Sequence, residues 1–378
     1  MIRSYRSPRL IKLIHVVNLV LGIFILGCEG SDGDSNSEAG EVTAGQAMSD
    51  QGEGGAERGG MSGEQAGEQA REQAGEQAGE QAGEQAGEQA GEQAGGLGGA
   101  EIDAGVSPEV DMEPPLDMEP LNKSFKRGIA SALPDPADLE ALAPGISWWY
   151  NWSPQYGPRV AETRVSAQVD FIPMTWNGNN PDEIRAFLDQ HPEVRYLLTY
   201  NEPNFQDQAN LTPAYAASIW PTFEQIAEEY DLQLVGPAVN YCGGCVIVEG
   251  APIASPFTVW LDMFFDEYRA QFGREPRMDF TALHWYDFGL EDQVNEIIMR
   301  YNRPVWLTEF ALWRWEDWCT DEFERDWMLD MLAFLEEHPM VYRYSWFTGR
   351  RDDFPKINLL NASGELTPLG EAYVNAPY

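Results

Sequence analysis

The chain has 378 residues with 62 acidic and 24 basic side chains, and the charge is unevenly divided: residues 1–28 carry four basic groups and no acid, residues 29–120 carry 23 acids and two Arg, and residues 121–378 carry 39 acids and 18 bases. All 13 Trp follow residue 147, and residues 29–120 contain no aromatic side chain, so only the last 258 residues can bury a sizeable core. An acidic core-forming part excludes nucleic acid, whose phosphates require Lys and Arg, and disfavours anionic substrates.

Arg3, Arg6, Arg9 and Lys12 precede an apolar run of 14 residues from 13 to 26, followed by Gly27 and Cys28. This is the layout of a secretory signal. The run is shorter than the ~20 residues a spanning helix needs. Its end resembles a bacterial lipobox, which implies cleavage before Cys28, acylation of Cys28, and a secreted chain held to a membrane through lipid alone. Two or more acyl chains make a stable anchor. Glu29 after the Cys favours the outer membrane or cell surface.

Residues 63–94 are eight consecutive Gly-Glu-Gln-Ala tetrads, with Arg71 replacing one Gly. Gly at seven of the eight starts costs ~1 kcal/mol each in a helix, and no apolar stripe offsets it. The expectation for 29–120 is an extended, disordered acidic linker. A flexible chain of that length reaches ~50–60 Å on average. Pro108, Pro114, Pro115 and Pro120 mark its end.

From residue 121 the pattern changes to short apolar or aromatic runs separated by amphipathic stretches, the signature of repeated βα units. Eight runs read as strands: 126–130, 145–152, 171–176, 195–201, 233–239, 279–286, 304–310 and 341–347. Helices are expected at 135–142, 181–190, 212–230, 257–272, 290–301 and 321–338, with a weaker one between 153 and 170. Asn180-Pro181 and Thr212-Pro213 look like helix starts with a capping side chain and Pro at the first position. Eight βα repeats in 258 residues match a closed (β/α)₈ barrel, typically ~250 residues. An open doubly wound sheet is the competitor, but the turn after the first strand has no phosphate-binding glycine pattern.

In such a barrel the strand C-termini converge on one face, where catalytic groups concentrate. The residues expected there include Tyr150, Asn151 and Trp152 from the second strand, Trp176 from the third, Asn201 and Glu202 from the fourth, His284 and Tyr286 from the sixth, Glu309 from the seventh and Trp346 from the eighth. Aromatic faces stack on the C–H surfaces of sugars, while amides and imidazoles satisfy hydroxyls. Two carboxylates across a barrel mouth are what glycoside hydrolysis requires, ~5–5.5 Å apart for a retaining enzyme. Glu202, within Asn201-Glu202-Pro203, is assigned as general acid/base and Glu309, within Thr308-Glu309-Phe310, as nucleophile. Asn201 would hold the sugar 2-hydroxyl, and His284 and Tyr286 would hydrogen-bond Glu309.

These residues resemble glycoside hydrolase family 128, the (β/α)₈ β-1,3-glucanases. The likeness runs through K-R-G at 126–128, S-W-W-Y-N-W-S-P at 147–154, F-I-P-M at 171–174, N-E-P at 201–203, H-W-Y at 284–286, W-L-T-E-F at 306–310, W-F at 346–347 and L-T-P-L-G at 366–370, covering nearly all of 124–375. It implies a β-1,3-glucan substrate, a retaining double displacement and no metal or other cofactor. It also implies that Trp, Tyr and His side chains from the second, third, sixth and eighth strands build the glucan subsites. Departures fall in loops at 240–256, 313–319 and 349–356. Rival readings are a related barrel glycosidase acting on another β-glycan and a non-hydrolytic polysaccharide-binding surface lipoprotein. A monomer is expected.

Cys242, Cys245 and Cys319 remain in the barrel region. Outside the cytoplasm one disulfide is expected among them, with its pairing open and one thiol left free. Three thiols with no His nearby in sequence make an incomplete zinc set.

Overall fold

The computed structural model describes residues 122–378. The expected signal segment, Cys28 and the acidic linker lie outside the described residues. In chain order the elements are β1 (Arg127–Ala130), α1 (Pro136–Leu142), β2 (Trp148–Tyr150), a 3-10 turn (Pro158–Val160), α2 (Ala161–Ser166), β3 (Asp170–Phe171), β4 (Met174–Thr175), α3 (Pro181–Leu188), β5 (Tyr196–Asn201), α4 (Pro213–Glu229) and β6 (Gln233–Val239). They continue with β7 (Ile247–Val248), β8 (Ala251–Pro252), α5 (Phe257–Phe272), β9 (Phe280–Trp285), α6 (Leu290–Tyr301), β10 (Val305–Phe310), α7 (Asp321–Glu337), β11 (Val341–Phe347), a second 3-10 turn (Pro355–Ile357) and α8 (Pro368–Asn375).

The main sheet runs β3-β2-β1-β11-β10-β9-β6-β5-β4 with every pairing parallel. Its two edge strands are halves of one segment. β3 pairs with β2, β4 pairs with β5, and between them Ile172 N donates to Trp149 O and Leu198 N to Pro173 O. The continuous chain 170–175 therefore closes the sheet into the expected barrel. Pro173 lacks an N–H, so the single strand expected at 171–176 is broken into two short pieces.

The helix boundaries follow their caps. Asp135 accepts from Ala137 N ahead of α1, and Thr212, Thr320 and Thr367 do the same for α4, α7 and α8, three of these four helices having Pro in the first turn. Gly273 (φ 69°) ends α5 in the left-handed region. Asn180 departs from expectation: α3 starts at Pro181, but the Asn180 side chain accepts from Thr175 Oγ1 at 2.8 Å instead of capping. The weak helix before β3 is only the six residues of α2 after the 3-10 turn. Helix α8 was not among the expected elements.

Trp148, Tyr196, Phe280, Trp306 and Tyr342 fill the barrel toward its N-terminal end, with Trp148–Trp306 and Tyr196–Trp306 centroids 5.0 and 5.1 Å apart. The fill is the packed layer expected inside a small barrel. A cavity of about 220 Å³ opens at this end among residues including Tyr156, Arg164, Phe171, Tyr196 and Arg343; neither Glu202 nor Glu309 lines it. No helix among the described residues is long and apolar enough to cross a membrane.

Candidate active site

Glu202 follows the last residue of β5, and Glu309 lies within β10 next to its end. Both are nearly covered, 1% and 3% exposed. What brings Glu202 to the mouth is irregular backbone: Tyr200 (φ 34°) and Glu202 (φ 41°) are left-handed, and the register of β5 against β6 shifts around Thr199. Left-handed non-glycine residues concentrate at functional sites, held by their surroundings. Here Glu202 N donates to Ala238 O and Ala209 N to Asn201 O, pinning the turn.

His284, fully buried near the end of β9, joins the two carboxylates. Its Nδ1 lies 2.8 Å from Glu202 Oε1 and its Nε2 3.4 Å from Glu309 Oε1. Both acids therefore border one imidazole ring. Burial works against the imidazolium, but the charge of Glu309 and the hydrogen bond and charge of Glu202 raise the His284 pKa above its ordinary value.

The two glutamates differ in their remaining partners. Glu309 Oε1 accepts from the Tyr150 hydroxyl at 2.8 Å and from Trp152 Nε1 at 2.7 Å, while Oε2 accepts from the Tyr286 hydroxyl. Burial raises the pKa of Glu309, opposed by His284 and by the bonds from Tyr286 and Trp152, while Glu202 adds to the rise. Tyr150 and Tyr286 are themselves pushed well above the ordinary phenol value, first by burial and then by Glu309, so they stay protonated and donate. Glu202 Oε1 accepts from Asn240 Nδ2 at 3.0 Å, and its Oε2 has no hydrogen-bond partner among the described residues. Asn201 donates to Gln208 Oε1, leaving its own Oδ1 unpaired.

Of the residues expected here, Tyr150, Trp152, Asn201, Glu202, His284, Tyr286 and Glu309 are gathered. Tyr150 and Trp152, expected as sugar contacts, hold Glu309 directly. His284 was expected on Glu309 and instead lies between both acids, closer to Glu202. Trp176 is half-buried at the end of the β4 segment, its carbonyl accepting from Asn201 N. Two expectations need correction. Asn151 spends its side chain on its own loop, accepting from Ser153 N and donating to Gln155 O. Trp346 is fully buried, packed on Phe310, Trp327 and Tyr373 with Nε1 donating to Ile357 O. Strand side chains alternate faces, so Trp346 points to the helix layer and its neighbour Phe347 reaches the mouth, against Trp152 and Tyr286. Counting parity back from Ser345, whose hydroxyl donates inside the barrel to Thr308 O, separates the two. Asn240, expected at a strand end on this face but given no role, follows β6 and bonds Glu202.

The loop that carries Asn240 is tied to the Glu202 turn. Asn204 Nδ2 donates to Asn240 O, Gln206 N to Gly244 O, and Val246 N to Asn204 O. The disulfide joins Cys242 and Cys245 within this loop, and Cys319 is a buried free thiol. Among the described residues no group of three or more His, Cys, Asp or Glu is arranged to hold a metal ion.

A parallel barrel that gathers two carboxylates at the C-terminal ends of β5 and β10 has the architecture of a glycosidase site. The family model described as glycosyl hydrolase catalytic core matches residues 128–373. A GH128 (subgroup II) endo-β-1,3-glucanase from Pseudomonas viridiflava is 43% identical over 68% of this chain and 99% of its own, with a TM-score of 0.62. A second such enzyme, from Sorangium cellulosum, is 36% identical over 67% of this chain and 98% of its own, with a TM-score of 0.58. Alkali-sensitive linkage protein 1 of Schizosaccharomyces pombe (strain 972 / ATCC 24843) is 28% identical over 241 residues, 61% of this chain; the chain spans 40% of that relative's length. The chain belongs to the glycosyl hydrolase catalytic core family and, within it, to glycoside hydrolase family 128.

Proposed function

We infer that this protein is a retaining endo-β-1,3-glucanase that works by double displacement, with Glu309 as nucleophile and Glu202 as general acid/base. The observation that carries the roles is the unequal hydrogen bonding of two acids that share His284. Three neutral donors converge on Glu309, and those from Tyr286 and Trp152 oppose the rise that burial imposes on its pKa, as suits a carboxylate that must be anionic to attack and must then depart from a glycosyl ester. Oε2 of Glu202 is left without a partner, as suits an atom that gives its proton to the glycosidic oxygen and later takes one from water. Oδ1 of Asn201, also unpaired, is available to the 2-hydroxyl, whose contact strengthens as positive charge develops at the anomeric carbon.

The substrate rests on relatives. The two bacterial structures are of endo-β-1,3-glucanases, and a third, from Amycolatopsis mediterranei, is a complex with laminaritriose, 27% identical with a TM-score of 0.51. We assign residues 1–28 to a lipoprotein signal ending at Cys28, 29–120 to a spacer and 121–378 to the catalytic domain, on a secreted, lipid-anchored, monomeric chain. Cell fractionation with labelled fatty acid tests the anchor: a Cys28→Ser chain that stays in the membrane fraction rules it out. For the reaction, the full chain is compared on laminarin, lichenan, mannan and xylan. Reducing sugar should appear from laminarin and should vanish in Glu309→Ala with laminarin binding retained. Undiminished release from that variant refutes the assignment.

A further inference from the structure

Two strings of aromatic rings run through the loops after β9, β10 and β11 and the start of α7, one of them from the mouth. In one, Tyr286, which holds Glu309, meets Trp313 edge-on at 6.4 Å, Trp313 meets Phe354 at 4.5 Å, and Phe354 meets Trp315 at 4.4 Å. In the other, Phe288 stacks on Trp318 at 5.9 Å, and Trp318 meets Phe323 at 5.4 Å. The inner rings Trp313 and Phe354 are buried, whereas Trp315 is 63% and Trp318 52% exposed. Among the described residues these two are the only Trp side chains in the exposed class.

The loop that presents them is braced. Arg314 pairs with Asp287 and lies over Phe288, Arg351 lies over Trp313 at 4.4 Å, and Lys356 donates to Cys319 O. Indoles exposed to water forgo the burial that stabilises their counterparts in the core, and apolar patches of this kind mark binding surfaces. At the junction with the mouth, Trp313 Nε1 and Arg314 Nε are buried with no hydrogen-bond partner among the described residues, two donors free for hydroxyls.

We propose that Trp315 and Trp318 form a distal glucan platform, which binds the stretch of a β-1,3-glucan chain that runs out of the mouth past Trp313. The proposal rests on the glucanase reading above. Three features select this occupant. Trp315 is continuous with the glutamates through Phe354, Trp313 and Tyr286, and Trp318 is presented by the same loop; exposed indole faces match the C–H face of a neutral sugar ring; and unpaired donors lie beside Trp313. The net charge of −21 on residues 121–378 opposes both an anionic lipid surface and a second copy of the chain.

The test uses the full chain carrying Glu309→Gln, with and without Trp315→Ala and Trp318→Ala, titrated with laminarin and with laminaritriose. Removing both indoles should weaken laminarin roughly five- to thirty-fold, the loss of one or two aromatic anchors, and laminaritriose distinctly less. Trp315→Phe with Trp318→Phe should recover part of the loss, which a merely structural role does not predict. Equal losses on the two ligands, or none, overturn the proposal. So does an unchanged laminarin affinity accompanied by loss of a dimer in sedimentation, or by loss of binding to phosphatidylglycerol–phosphatidylethanolamine vesicles. Hydrolysis of laminarin by the chain with Glu309 intact, measured in parallel, separates the two levels: an inactive chain sinks the glucanase reading and the platform with it, whereas an active one with unaltered binding in the indole variants sinks the platform alone.

Discussion

At the N-terminal end of the barrel, Arg127 is 1% exposed, yet all of its guanidinium is engaged. Nε donates to the Tyr344 hydroxyl, Nη1 to Tyr373 O and Ala376 O, and Nη2 to Pro377 O and Glu336 Oε1. Five donors meet five acceptors, so nothing is left for a ligand. At the C-terminal end, Glu202 and Asn201 are also buried, but Glu202 Oε2 and Asn201 Oδ1 lack hydrogen-bond partners among the described residues. Unpaired buried polar atoms cost ~1–3 kcal/mol each, more for charged ones. A fold tolerates that cost where the atoms have a ligand to meet. Arg343 is an intermediate case: Nε and Nη1 are unpaired, but the guanidinium sits among the rings of Phe125, Trp148, Tyr196 and Trp306 and lies 3.6 Å from Asp170.

The largest effects separate the two ends most directly. Glu202→Ala should slow laminarin hydrolysis ~10³-fold or more, with a much smaller loss on an aryl β-glucoside whose phenol leaves without a proton. Equal losses on both substrates would remove Glu202 from the acid role. Arg127→Ala should do the reverse: chemical denaturation should show a loss of ~3–5 kcal/mol, because the Glu336 carboxylate loses its cation and three carbonyls lose their donor, while kcat per folded molecule stays at the parent value. An Arg127→Ala chain that is as stable as the parent would break the contrast.

How much of this was legible in the sequence follows from which interactions are local. The barrel was readable because βα runs, Pro at first helical positions and capping Thr are short-range signals; α5 and α6 begin and end at the expected residues. The paired glutamates were readable from their positions near strand ends. What was not readable depends on backbone irregularity or partners distant in sequence. The left-handed Tyr200 and Glu202 follow no residue-type rule, since neither is Gly or Asn. The eighth strand carried adjacent aromatics, and only the parity of Ser345 tells Phe347 from Trp346. The Asn240 bond to Glu202 spans 38 residues and had no local mark.

Glu324 sharpens the contrast as a buried carboxyl outside the pair of acids. It is 1% exposed in the first turn of α7, with Lys356 at 3.6 Å and with neither carboxylate oxygen hydrogen-bonded among the described residues. Burial pushes its pKa up to about 7, against the pull of Lys356. A raised carboxyl pKa means the folded state holds a proton that the unfolded state has released, so stability falls as pH rises from about 4.5 through about 7. Glu324→Gln should therefore gain ~1–3 kcal/mol at pH 8 and little at pH 4, read by denaturant titration at both values. A gain of the same size at both pH values would show that packing, not ionisation, sets the cost.

The smallest effect lies at the mouth itself. Burial raises the Glu309 pKa despite His284, Tyr286 and Trp152, so here too the native state binds protons more readily than the unfolded chain. His284 is also raised, and the stability its proton contributes is present at low pH and lost as pH rises through its folded pKa. Both groups therefore make the native protein less stable toward alkaline pH. Glu309→Gln keeps an acceptor for the donors around it and removes the charge, but it also removes an attraction that raises the His284 pKa. The expected outcome is an inactive protein that is more stable by ~0.5–2 kcal/mol at pH 8, with the difference shrinking below the ordinary carboxylate range, where the parent Glu309 is neutral. Thermal unfolding of parent and variant from pH 4 to pH 9 measures this. A variant less stable than the parent across the whole range would mean that the bonds to Tyr150, Trp152 and Tyr286 outweigh the burial of the charge, making Glu309 a structural asset like Arg127.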